Sequence, residues 1–178
     1  DAFYSDSQYI GFGFAYKQTS ATELRITQAF PDSPAAEVGF ARGDWLLTVG
    51  GRAVAELLST GEFDTVFGPE QEGVSVDVTW RDLAGAQHRA TMVKRKVTIP
   101  TVSQTAILDA GGTRVGYLHF RNFVQPSVAA LDAAFARLRD GGAEQLVLDL
   151  RYNGGGLVSV AQHLASLIAG PTTVGKVF

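Results

Sequence analysis

Cysteine is absent from the 178 residues, which excludes disulfides, thiol nucleophiles and zinc–cysteine sites and leaves the redox compartment open. No apolar run reaches the ~20 residues that a membrane span needs. The opening stretch Asp1–Ser7 does not resemble a signal peptide, although a targeting segment removed ahead of Asp1 remains compatible with that. A basic block is also missing. Fifteen Lys and Arg against eighteen Asp and Glu give a net charge of −3, and the longest basic run is Lys94-Arg95-Lys96 at the end of an apparent strand. Nucleic-acid binders usually carry a basic face or stripe, so that class is set aside. What is present is ordinary for a folded chain: 46% apolar residues, 19% charged residues and a mean hydropathy of +0.07. Disorder is excluded on composition, and the length fits one large domain or two small ones.

Residues 9–96 read as short strands broken by turns. Leu24-Arg25-Ile26 opens an apolar/polar alternation ending at Phe30, the pattern of a half-buried strand. Ser33 then suits an N-cap with Pro34 at the first helical position, and Gly39 ends a very short helix. Trp45–Val49 runs into the turn signal Gly50-Gly51. Glu62–Phe67 predicts a second short helix closed by Gly68-Pro69, and Val74–Arg81 with Gln87–Lys96 predicts a hairpin. Pro100 in the β-branched stretch Val97–Ser103 suggests a linker. Beyond it, Thr105–Leu108 and Arg114–Phe120 flank a hairpin turn. Val128, Leu131, Ala134, Phe135 and Leu138 share one helical face that Gly141-Gly142 terminates. Leu146–Leu150 reads as a strand covered on both faces, the loop Arg151–Gly156 follows, and Leu157–Ala169 forms a last helix ahead of Gly170-Pro171. A further strand is possible toward Phe178. The second half is strand–helix–strand–helix, an α/β layout.

Two glycine loops carry the chemistry. In Gly11-Phe12-Gly13-Phe14 the glycines let successive N–H groups point into one space, a nest that binds an anion such as a peptide's terminal carboxylate. The adjoining strand edge can pair with an extended peptide, with Phe12 and Phe14 walling a pocket for its last side chain; a turn relieved by glycine in an apolar strand is the plainer alternative. The segment Pro31-Asp32-Ser33-Pro34-Ala35-Ala36-Glu37-Val38-Gly39-Phe40-Ala41-Arg42-Gly43-Asp44 resembles the S-P-A-x-x-A-G-L-x-x-G-D pattern of bacterial PDZ domains. It departs only in Val38, where Ala is usual, and Phe40, where Leu is usual. The resemblance covers roughly residues 9–96 and implies a carboxylate loop at Gly11–Phe14. The second helix, placed near Phe63–Phe67, would then be the other groove wall. Phe63, Val66 and Phe67 thereby become candidate pocket residues, with ordinary core as the alternative.

In the second loop a strand opens into Asn153-Gly154-Gly155-Gly156 ahead of a helix. Unpaired N–H groups and a helix dipole at such a place suit phosphate or an oxyanion, or the glycines simply permit a tight turn. The chain has neither G-x-x-x-x-G-K-[ST] nor G-x-G-x-x-G, which disfavours phosphate. Val115-Gly116-Tyr117-Leu118-His119-Phe120-Arg121-Asn122-Phe123, a helix, then Asp149-Leu150-Arg151-Tyr152-Asn153-Gly154-Gly155-Gly156 resembles the catalytic domain of C-terminal processing peptidases (tail-specific proteases). That family also places a PDZ domain directly before this segment. The resemblance implies that Gly155, with Gly154 and Gly156 beside it, lends a backbone N–H to an oxyanion hole, while Asp149, Arg151 and Asn153 brace the loop.

The expected architecture is α+β: residues 1–8 end a preceding segment, and 9–96 form a PDZ-like, partly open β-barrel with two short helices. A linker at 97–104 then leads to a partial α/β peptidase domain at 105–178. The family's nucleophilic Ser and its Lys base belong to segments not found here. Ser159, Ser166 and Lys176 stand in the wrong context, and His88, His119 and His163 are isolated. The chain is therefore expected to be inactive alone, as part of a serine-type endopeptidase that recognises protein C-terminal tails. The resemblance implies that the complete enzyme needs no metal, nucleotide or other cofactor, and it implies export to the periplasm or cell envelope. A non-catalytic peptide-binding scaffold built from the same parts is the alternative, and a small phosphate-binding protein a third.

Overall fold

The structure is a computed structural model that describes residues 5–170. It contains two compact units, Gln8–Ile99 and the chain from Pro100 onward, with residues 5–7 grouping with the latter. Lys176, the strand expected toward Phe178 and the first four residues lie outside the described residues.

The first unit holds β1 (Gln8–Gly11), β2 (Phe14–Gln18), β3 (Leu24–Ala29), α1 (Pro34–Glu37), β4 (Trp45–Val49), β5 (Arg52–Ala53), α2 (Val54–Thr60), β6 (Ser75–Arg81), β7 (Gln87–Val93) and β8 (Arg95–Thr98). Its main sheet runs β2-β3-β4-β6-β7 with β5 paired to β4, while β1 and β8 form a separate antiparallel pair. The sheets are open, and no closed barrel forms among the described residues. Alternation builds the core. In β6, Val76, Val78 and Trp80 are buried while Ser75, Asp77 and Thr79 face outward, as the two-residue period of a strand requires. They meet Leu24 and Ile26 of β3 and Leu57 of α2.

Two expectations for this unit need correction. The second helix is Val54–Thr60, not Glu62–Phe67, which forms turns. Gly61, at φ 71°, takes the left-handed conformation that ends a helix, so the stop signal lies seven residues ahead of Gly68. The hairpin of β6 and β7 forms as expected, but its second arm breaks at Lys94, after which β8 turns to pair with β1.

The second unit holds β9 (Val102–Ala110), β10 (Thr113–Phe120), α3 (Ser127–Asp140), β11 (Gln145–Asp149) and α4 (Val158–Ala169). The segment read as a linker at 97–104 thus carries the end of β8 and the start of β9. β9 and β10 form an antiparallel hairpin, and α3 crosses over to place β11 parallel to β10, the βαβ connection. Ser127, Leu131, Ala134 and Leu138 make the buried stripe of α3, packed with Leu118, Phe120, Val160 and Leu164. β11 is covered on one face rather than two: Leu146 and Leu148 pack against this core, while Val147 is 47% exposed. Among the described residues, no helix is long and apolar enough to cross a membrane.

Candidate functional site

The loop between β1 and β2 is held by its carbonyls. Phe12 O accepts from the Ala35 amide at 2.8 Å, and Gly13 O accepts from the Phe30 amide at 2.8 Å and from Ser33 Oγ at 3.0 Å. Ser33 is fully buried and its Oγ also accepts from the Ala36 amide at 3.2 Å, so one hydroxyl caps α1 and anchors the loop. In a planar trans peptide the N–H points opposite to the C=O. The Gly13 and Phe14 amides are therefore directed away from the groups that bind these two carbonyls. Gly13 has φ 82°, and a Cβ there would overlap Ser33; a Cβ on Gly11 would overlap the Tyr9 ring.

Gly11, Phe12, Gly13 and Phe14 line a cleft of about 320 Å³ whose other sides include Tyr16, Asp64, Phe67 and Lys94. Phe67 stands 5.9 Å from both Phe12 and Phe14, forming an aromatic wall. Phe63 is 5% exposed and backs that wall, 5.2 Å from Phe67 and 5.1 Å from Tyr16. Val66 packs against the core of this unit. Of the three candidates on the segment 63–67, the structure therefore brings Phe67 to the cleft surface, from a turn rather than a helix. The Tyr16 hydroxyl donates to Asp64 Oδ1 at 3.1 Å, and burial followed by that carboxylate pushes its pKa up to about 12. β2, which leaves the loop, is the terminal strand of its sheet.

Sequence reasoning missed Lys94 here. It is 5% exposed, lines the cleft and donates from Nζ to Gly68 O at 2.9 Å and Pro69 O at 2.7 Å. The signal was the alternation in Gln87–Lys96, which puts Lys94 on the same inward face as buried Met92. Its basic neighbours differ. Arg95 pairs with Glu37 at 2.6 Å, and Lys96 is exposed.

The second loop is tied by side chains. Asp149 accepts from the Tyr117 hydroxyl at 2.6 Å, from the Arg151 amide at 2.9 Å and from Arg151 Nη2 at 2.5 Å. Arg151 first, then Tyr117, holds the Asp149 carboxyl well below the usual carboxylate range; Asp149 in turn pushes the Tyr117 phenol up. Asn153 donates to Phe120 O at 3.1 Å and accepts from the Gly155 amide at 2.7 Å. Phe123 closes the loop from the other side, its amide donating to Gly155 O at 3.0 Å and its carbonyl accepting from the Leu157 amide at 2.6 Å. α4 starts directly after this point. The Gly155 amide, the first choice for an oxyanion donor, is thus engaged by Asn153. Among the described residues the Gly154 and Gly156 amides have no hydrogen-bond partner, and both glycines are exposed.

The isolated histidines have local partners: His88 with Asp82 at 2.8 Å, His163 with Asp132 at 2.8 Å, and His119 with Arg151 O at 2.9 Å. Ser166 Oγ donates to Gln162 O at 2.8 Å, and Ser159 is exposed on α4.

A strand–helix–strand unit ending in this braced glycine loop has a counterpart among known proteins: residues 114–177 match the model of Peptidase family S41. Over 168 residues the chain is 29% identical to the chloroplast C-terminal processing peptidase of Tetradesmus obliquus, covering 89% of this chain and 36% of that one. Among solved structures, a Bacteroides fragilis protein named as an S41 protease superposes with a TM-score of 0.62 at 25% identity, covering 88% of this chain and 45% of that one. The photosystem II D1 C-terminal processing protease superposes with a TM-score of 0.55 at 26% identity, covering 89% and 44%. The chain is related to the C-terminal processing peptidases, and it spans about a third of the length of the curated relative.

Proposed function

We propose that this chain supplies the tail-recognising and oxyanion-forming parts of a C-terminal processing peptidase, with the nucleophilic Ser and its Lys base provided from outside these residues. In this reading Gln8–Ile99 is a PDZ-like domain. A substrate's C-terminal residue enters the cleft, its carboxylate meets the Gly13 and Phe14 amides, its side chain lies among Phe12, Phe14 and Phe67, and its backbone adds to the edge of β2. The observation that carries the reading is the aromatic-walled cleft at a carbonyl-pinned glycine loop beside a terminal strand. Phe63 and Val66 support the pocket from behind.

In the second unit, the loop 154–156 offers amides to the tetrahedral oxyanion formed during acyl transfer. Gly154 and Gly156 are ready donors, and Gly155 becomes one when Asn153 releases it. Asp149 and Arg151 set the direction of the loop without reacting. With the Ser–Lys pair in place, Lys takes the serine proton as the hydroxyl attacks the scissile carbonyl. Export to the periplasm or cell envelope belongs to the same reading.

The test compares a peptide with a free C terminus against its C-terminal amide. Hydrogen bonds to a charged group contribute about 1.5–3 kcal/mol, so amidation is expected to weaken binding at least about tenfold. Equal binding of the two forms would overturn tail recognition.

A further inference from the structure

Two residues along β2 from the Gly11–Phe14 loop, the wall of the cleft changes from hydrocarbon to a phenol and a carboxylate, Tyr16 and Asp64. The Tyr16 ring is 40% exposed. It lies 6.1 Å from Phe14 and 5.1 Å from Phe63, so Phe14 and Tyr16 share the face of β2 turned toward residues 63–67, as the two-residue period of a strand requires. Asp64 is exposed, and only its Oδ1 is engaged, accepting from the Tyr16 hydroxyl at 3.1 Å. Among the described residues its Oδ2 has no partner, and the carboxylate forms no ion pair. Lys94, the cation of the same cleft, is taken up by the Gly68 and Pro69 carbonyls at 2.9 Å and 2.7 Å. The ring and the open carboxylate oxygen therefore stand together about 7 Å along the strand from the glycine loop.

We propose that Tyr16 and Asp64 select tails whose antepenultimate residue is lysine or arginine. This rests on the tail-binding reading above and gives it a substrate class. A tail added antiparallel to β2, with its last residue level with Phe14, puts the residue two positions earlier level with Tyr16. Residues opposite one another on paired strands share a face. That residue's side chain is therefore directed at the Tyr16 ring and Asp64, while the last side chain enters the aromatic wall. A basic side chain suits both groups: its cation meets the open Asp64 oxygen and the aromatic face, and its hydrocarbon stem covers the ring. A glutamate at the same place meets like charge, which makes the selection two-sided. Glu70, the other acid lining the cleft, directly follows the carbonyls that hold Lys94, so Asp64 is the carboxylate paired with the Tyr16 ring.

The experiment measures binding of three fluorescein-labelled decapeptides that differ only in the antepenultimate residue, ending in lysine-alanine-valine, methionine-alanine-valine or glutamate-alanine-valine. Each is tested as free acid and as C-terminal amide against the wild type, Asp64→Asn and Asp64→Lys. Among the free acids, the wild type is expected to prefer lysine over methionine by about three- to tenfold and to bind glutamate most weakly. High salt should shrink the lysine advantage. Asp64→Asn should bring the lysine-to-methionine ratio to within about twofold of unity, and Asp64→Lys should turn the preference toward glutamate. The ratio is the readout because Asp64 also holds the Tyr16 hydroxyl, and losing that bond alone would alter all three peptides alike. A wild type that distinguishes acid from amide but not lysine from methionine would overturn this proposal and leave the tail-binding reading standing. A lysine preference that survives in Asp64→Asn would trace to Glu70 or to the net charge of −3 and overturn the proposal as well. A wild type that binds none of the peptides, or binds acid and amide equally, would defeat the tail-binding reading and this inference with it.

Discussion

The two glycine loops are built in opposite ways. Gly11–Phe14 is held by bulk: Tyr9 and Ser33 fill the space that side chains on Gly11 and Gly13 would need, and the loop carbonyls are bonded to buried backbone and to Ser33. Asn153–Gly156 is held by the Asn153 side chain and the Phe123 backbone; nothing lies within 4 Å of a Cβ built on Gly154 or Gly155, whereas one on Gly156 would overlap Phe123 O. The first arrangement presents a pocket of fixed shape. In the second, the Gly155 N–H is bonded to the Asn153 side chain rather than to backbone. A recognition site gains from the former and an oxyanion site tolerates the latter, provided the donors are in place when charge develops.

The largest effect that separates the loops comes from alanine. Gly13→Ala combines a left-handed φ, costing about 1–2 kcal/mol for an L residue, with overlap against buried Ser33, typically about 1–3 kcal/mol more. The expected loss is about 2–5 kcal/mol, together with loss of the proposed tail binding. Gly154→Ala meets open space, and the expected change is within about 0.5 kcal/mol. Denaturant melts of both variants check the contrast, and comparable destabilisation by the two would break it.

Asn153→Ala sharpens the polar side of the comparison. It removes the bonds to Phe120 O and to the Gly155 amide; at about 0.5–1.5 kcal/mol per net hydrogen bond, a loss of about 1–3 kcal/mol is expected. Amide exchange localises the effect: Gly155 should lose protection while Phe30, bonded to the other loop, keeps it.

Much of this was legible in the chain. The Ser33-Pro34 start of α1, the stripe on α3 and the strand–helix–strand order of β10, α3 and β11 all follow from local pattern, because capping, helical period and strand alternation are short-range rules. The misplaced second helix shows the limit. Val54–Thr60 holds β-branched Val54 and Thr60 and no strong cap, whereas Glu62–Phe67 sits just ahead of a Gly-Pro stop; packing of Val54 and Leu57 into the core, which no local rule contains, decided between them. Lys94 was hidden for a related reason. A lysine in a basic run reads as surface, and only tertiary contact puts it against the Gly68 and Pro69 carbonyls. Gly155 carries the same lesson at the second loop: spacing identifies a glycine amide near a helix start but not that Asn153 occupies it.

The smallest effect is visible only at the extremes of pH. Asp149 is held low in the folded protein by Arg151 and Tyr117, against about 3.9 in an unfolded chain. Its contribution to stability is complete above that unfolded value and is lost as pH falls toward and through the folded-state value. Tyr117 is raised above its unfolded value of about 10, so its contribution is present below that pH and is lost as pH rises through the folded value. Asp149→Asn removes the carboxylate that produces both shifts, and is expected to flatten both limbs of the stability profile of the second unit. The other carboxyls held low among the described residues, Glu62, Asp77 and Asp82, all lie in the first unit. Amide exchange across β10 and β11, compared with β6 and β7 over the same pH series, therefore distinguishes them. In the variant the second pair of strands should keep its acid limb while the first pair loses it. An unchanged acid limb across β10 and β11 would remove Asp149 from the bracing of the glycine loop.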